Sequence, residues 1–150
     1  METVATLTAL LSAALNAAAG AYAGWRWWRV EPDRVSWVLL RAGQAATIVL
    51  AVLSGIAWLA GLRPDEGLFW IYVFVPVGTS FFAEQFRLLS AQTVLDARGL
   101  ADAQAVGKLP DAQQASIVLQ IMRRELGVVT LAAIVNALLA LRAATEAAGL

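Results

Sequence analysis

Neither cysteine nor histidine occurs among the 150 residues. The first absence excludes disulfides, thiolate metal sites and thiol nucleophiles. The second removes bis-histidine haem, imidazole–zinc sites and a histidine general base. Charge is scarce as well: Asp, Glu, Lys and Arg make up 15% of the chain, against about 25% in soluble domains. The charges cancel to a formal net charge of zero, so no overall field recruits nucleic acid. There is no Gly-rich phosphate loop, and the pattern pairs no nucleophile with a base. The expectation is a protein without catalysis, cofactor or bound metal, and without a nucleic-acid partner.

What fills the chain instead is apolar sequence. Hydrophobic residues reach 60%, with a mean hydropathy of +0.69. A soluble bundle of that composition would expose large apolar patches and aggregate. The residues are gathered into four long stretches, which predicts an all-α integral membrane protein: a four-helix antiparallel bundle forming a single domain, with spans near 3–25, 42–62, 68–84 and 126–145. Ala21-Tyr22-Ala23 resembles a signal-peptidase site, but no basic segment precedes it, so a retained first helix is expected.

The segments carry their own punctuation. The first helix is rich in small residues, and Gly20 and Gly24 form a small-xxx-small step that lets another backbone come close. Trp25, Trp27 and Trp28 suit the headgroup level. Pro32 and Asp33 suit the first turn of the second helix. Arg63-Pro64-Asp65-Glu66-Gly67 reads as a tight turn. The third helix is aromatic, with Pro76 inside it to bend it or free a carbonyl that Thr79 or Ser80 re-satisfies. Its periodicity runs on through Gln85 to Arg98. The fourth begins at Asp111, well before its apolar part. Helices three and four are therefore expected to extend beyond the membrane into the cytoplasm, separated by a break at 99–110.

Basic residues set the orientation. With four spans, loops 26–34 and 99–110 lie on one side, and that side carries every Lys and Arg except Arg63 and Arg142. Positive flanks stay cytoplasmic. Both termini are then outside, in a multi-pass protein of the plasma membrane. Arg41, Glu84 and Arg124 each fall about twenty residues inward from the outer end of their spans, near the inner boundary of the hydrocarbon layer.

Two groups of polar residues need a reason to be there. The inner-interface cluster is Arg41, Glu84, Arg87, Arg123 and Arg124. Glu84 is a proton- or cation-binding carboxylate or, more simply, an ion-paired residue that fixes helix register. The arginines hold anionic lipid headgroups or serve as topological signals. The intramembrane group is Asn16, Gln44, Tyr72 and Asn136, lining a polar path or joining helices. Symmetric hairpins would place Glu84 opposite Arg124, Asn16 opposite Gln44 and Tyr72 opposite Asn136. Tyr72, Trp70, Phe74 and Phe81 suggest an aromatic pocket or ordinary packing. The extension is a docking face or packs on itself.

The reading that follows is a homo-oligomeric membrane protein of channel or transporter type, with membrane lipids as partners. An accessory or assembly subunit of a larger membrane complex is the alternative, as is a binder of lipid or another hydrophobic ligand.

Overall fold

The computed structural model describes residues 2–61 and 67–148. The expected turn at Arg63, Pro64, Asp65 and Glu66 lies outside the described residues. Within them the chain is helical: α1 (Glu2–Trp28), α2 (Arg34–Leu59), α3 (Gly67–Ala97), the single turn α4 (Ala103–Val106) and α5 (Asp111–Ala147). The four long helices are each long and apolar enough to cross a membrane.

Local chemistry explains where they start and stop. Helix α2 begins one residue after Asp33, whose Oδ1 accepts from the Ser36 N–H at 2.8 Å and from its hydroxyl at 2.6 Å. Pro32 thus precedes the cap instead of sitting in the first turn. Helix α3 ends in a Schellman motif: Leu100 N–H donates to Leu95 O, Gly99 N–H to Asp96 O, and Gly99 has φ +67°. Helix α1 ends in the same motif, with Glu31 N–H on Arg26 O and Val30 N–H on Trp27 O. Here the left-handed position is Val30, at φ +57°. A β-branched side chain is strained there. Pro76 does not end α3, which runs through it. Thr79 donates to Val75 O at 2.9 Å, three residues past the Tyr72 carbonyl that Pro76 leaves without its helical donor.

Helix α5 lies between α1 and α3, α1 also packs on α2, and α2 and α3 meet over a shorter stretch. Glycines let the backbones close. A Cβ on Gly20 would stand 2.8 Å from Ile134 of α5, and one on Gly43 would stand 2.9 Å from Asn16 of α1. The unpacked Gly55 and Gly78 have no such neighbour.

Three apolar clusters result. One joins Ala9, Leu50, Phe69, Val73 and Ala140 from all four long helices. A second joins Ala19, Ala23, Leu40, Leu126 and Val129. The third, Val94, Leu95 and Ile117 with Leu100 and Val106 around them, draws only on α3, α4, α5 and their connections. Alanine dominates the interior, while Leu11, Leu59, Phe81, Phe82, Leu131 and Leu138 are exposed. A soluble core has the opposite bias.

Candidate functional site

The half-buried charges of α2, α3 and α5 gather around Glu84. Its Oε1 accepts from Arg41 Nη1 at 2.7 Å and from Gln44 Nε2 at 3.0 Å. Its Oε2 accepts from Arg41 Nη2 at 3.2 Å and from Arg87 Nε at 3.0 Å. Arg87 reaches on to Glu125 of α5 at 3.5 Å and lies over the Trp37 ring at 5.9 Å. Two guanidinium groups and two carboxylates thus balance in one network that spans three helices. Both Glu84 oxygens accept two donors each, which uses the acceptor capacity of a carboxylate. The arrangement is a clamp, and the Arg41 end is forked, the geometry in which guanidinium fits carboxylate best.

The other two arginines of the expected inner cluster stand apart from it. Arg123 lies over Trp27 at 5.3 Å. The Trp27 ring in turn fills the space over Gly127, where a Cβ would come within 2.8 Å of Nε1. Arg124 is exposed on α5. Glu84 therefore meets Arg41 and Arg87, and does not meet Arg124.

Polar side chains deeper in the fold form two separate joints. At the first, Asn16 Nδ2 faces three acceptors: Ser12 O at 2.9 Å, Gly43 O at 3.0 Å and Thr47 Oγ1 at 3.1 Å. At the second, Asn136 Nδ2 donates to Ser80 Oγ at 2.8 Å. Both asparagines are 1% exposed, so each bond is made where water cannot compete. Asn136 Oδ1, Ser12 Oγ and Thr130 Oγ1 are buried without a hydrogen-bond partner. Gln44 has turned to Glu84 and leaves Asn16 to Gly43 and Thr47.

Tyr72 does not face Asn136. It lies beneath the Arg142 guanidinium, 5.9 Å from ring centre to carbon. Trp70 and Phe74 stack at 5.7 Å, but Phe74 and Phe81 are exposed, so the aromatic residues do not converge on a pocket. The pairs Arg87–Glu125, Ser80–Asn136 and Tyr72–Arg142 are all displaced from the symmetric hairpin, by roughly one to two helical turns. The connection is uneven: α4 and its neighbours pack back onto Val94 and Ile117.

At the head of α2, Asp33 ties the first loop together. The Ser36 hydroxyl and then the Ser36 N–H hold its carboxyl down at about 2. Tyr22 O–H donates to its other oxygen at 2.8 Å, and Arg26 lies 3.3 Å from that oxygen.

Sequence reasoning passed over Glu125, Trp37, Thr47 and Gly43, and expected Ser80 on the backbone freed by Pro76, where the structure has it accept from Asn136. The signal for Gly43 was available: a glycine one residue from a polar side chain, inside an apolar run, marks a place where another helix comes close. Ser80 and Thr47 gave less, because a hydroxyl in a helix can satisfy itself on its own backbone.

No family model, curated protein or solved structure matches this chain.

Proposed function

We propose that the four long helices cross the plasma membrane as an antiparallel bundle and that copies of the chain assemble into a channel or transporter. In this reading both termini are outside, loops 26–34 and 99–110 are cytoplasmic, and α3 and α5 extend past the inner membrane surface. The basic inner face then meets anionic lipid headgroups. The chain has no catalytic role.

The observation that carries it is the inverted distribution of polarity. Asn16, Thr47, Ser80 and Asn136 face inward while Leu11, Leu59, Phe81, Phe82, Leu131 and Leu138 face outward. Lipid tolerates that outer surface, and polar groups in such a protein belong inside. Antiparallel order is supported by contacts that run in opposite senses: α1 meets α2 at Asn16–Gly43 and again at Tyr22–Asp33. Alanine and glycine contacts fill the single chain, with Ala9, Ala19, Ala23 and Ala143 fully covered. A conducting path therefore belongs between copies.

The test is reconstitution into vesicles, with copy number read by single-molecule photobleaching and ion flux read from the same preparation. More than one copy per assembly together with flux is the expected result. Single copies in vesicles that stay tight would reject the channel reading.

That second outcome would favour an accessory subunit, and one observation supports it. Val118 and Leu119 are exposed on the part of α5 beside the third cluster, by 48% and 41%. An apolar face outside the membrane would need a protein to cover it.

A further inference from the structure

A groove of about 510 Å³ runs along the outside of the bundle between α3 and α5. Its walls are Thr79, Phe82 and Phe86 on one helix and Val128, Leu131 and Val135 on the other. Its floor is Ala83 and Ala132, two small side chains that keep it deep. The Thr79 hydroxyl is already spent on Val75 O. The groove therefore offers its occupant no hydrogen-bond donor, and its contact is almost wholly apolar.

A cation lies one helical turn beyond its Val128 end. Arg124 precedes Val128, Leu131 and Val135 at spacings of four, seven and eleven, which is one stripe of a helix. It is exposed. Among the described residues, no hydrogen bond or ion pair engages it, whereas Arg41 and Arg87 are held by Glu84, Arg98 by Gln120, and Arg123 by Trp27. An apolar trough ending at an unpaired guanidinium matches a molecule with an apolar chain and an anionic head.

We propose that this groove binds an anionic phospholipid of the inner leaflet, one acyl chain lying between α3 and α5 and the phosphate on Arg124. The site rests on the reading that these helices cross a bilayer. It adds a defined position and a preference for anionic headgroups. An exposed guanidinium at a membrane surface adds about 1 kcal/mol of attraction, which is about five-fold in affinity.

The experiment is native mass spectrometry of the full chain released from vesicles of equal phosphatidylglycerol and phosphatidylcholine. The unmodified chain should retain phosphatidylglycerol about five-fold over phosphatidylcholine. Arg124→Gln should bring the two lipids to near parity, while Arg123→Gln should leave the preference in place. Ala132→Phe fills the floor and should abolish retention of both. Leu131→Asn, at an exposed rim position, should weaken retention of both without crowding the interior. Equal retention of the two lipids by the unmodified chain would overturn the site, as would a preference that survives Arg124→Gln. So would a groove that Ala132→Phe shows to be a contact between copies, by converting oligomers to single chains with lipid retention unchanged. Recovery of the chain in the aqueous fraction would be a different failure, that of the membrane reading itself.

Discussion

Asn16 and Gly43 hold α1 and α2 together through a bond that only a glycine permits. The Asn16 amide donates to Gly43 O at 3.0 Å, and a Cβ at Gly43 would stand 2.9 Å from Asn16 Oδ1 and 3.4 Å from its Cα. Side-chain rotation could relieve the first contact. The second is close to ordinary contact, so the cost falls on the Asn16 amide, which would have to leave the bonds it makes to Ser12 O, Gly43 O and Thr47 Oγ1.

Gly43→Ala should therefore destabilise the bundle, although alanine is the better helix former by about 1 kcal/mol. Overpacking costs about 1–3 kcal/mol, and the Asn16 bonds weaken with it. The net loss expected is about 1–2 kcal/mol, read from unfolding in mixed detergent. Asn16→Ala frees the space that the new methyl needs. The double variant should then lose less than the two single losses combined. Strict additivity would mean that the two residues do not share one joint.

Glu84 is shared between α2 and α3, and Arg87 carries the network on to α5. Glu84→Gln keeps an acceptor but leaves two guanidinium groups short of one negative charge. Removing one partner of a buried pair is costly because the other is stranded. Here the Arg41 side chain is 51% exposed, and water screens part of that loss. A destabilisation of about 1–2 kcal/mol is expected for Glu84→Gln, and a smaller one for Arg41→Gln. Arg87→Gln, whose side chain is 26% exposed and which also loses Glu125 and Trp37, should cost more than Arg41→Gln. The reverse order in a chemical unfolding series would contradict the clamp.

The reach of the sequence can be measured on these same residues. Length and hydropathy suffice to find the long helices, and Gly99 suffices to end α3. The proximity of Arg41 and Glu84 follows from counting depth along each helix, and that of Arg87 from its i+3 spacing to Glu84. The Arg124 partnership does not, because a hairpin sum assumes a symmetric connection. The turn α4 and the packing of Val106 on α3 shift α5 along its neighbour. Asn136 looked towards Tyr72 on that sum and instead meets Ser80. Serine and threonine are hard to place from pattern alone, since the same hydroxyl serves the local backbone or a facing helix. Val30 gave no signal: nothing in its side chain announces a left-handed backbone.

That residue allows a direct comparison. Val30 and Gly99 occupy the same position of two Schellman motifs, at φ +57° and +67°. A left-handed conformation costs a side-chain-bearing residue about 1–2 kcal/mol, and glycine loses about 0.5–1 kcal/mol through its freer unfolded chain. Val30→Gly should then raise stability by about 0.5–1 kcal/mol, while Gly99→Val should lower it. Thermal unfolding of the two variants checks the opposite signs. A drop in the Val30→Gly midpoint would show that the Val30 side chain contributes more than its backbone strain removes.

Asp33 provides the pH dependence with a definite sign. Its carboxyl titrates at about 2 in the fold, below the usual 3.8, because the Ser36 hydroxyl and N–H stabilise the anion. The folded chain thus binds this proton more weakly than the unfolded chain does. Between those two values the unfolded state holds more protons, so stability falls as pH drops through the interval. The contribution is complete above about pH 4 and gone below about pH 2. Asp33→Asn isolates it: asparagine caps a helix as well as aspartate does, and it has no proton to take up. The variant should match the native chain's unfolding temperature near neutral pH or sit slightly below it, since Arg26 and Glu31 keep their own pair. Between pH 4 and pH 2 the native chain should lose stability more steeply than the variant. Asp33→Ala should be the weakest at neutral pH, having lost the cap that opens α2 and the Tyr22 bond that joins it to α1. Parallel pH profiles for the native chain and Asp33→Asn would mean that the Ser36 cap does not persist in solution. The start of α2 would then depend on Arg26 and the tryptophans around it instead.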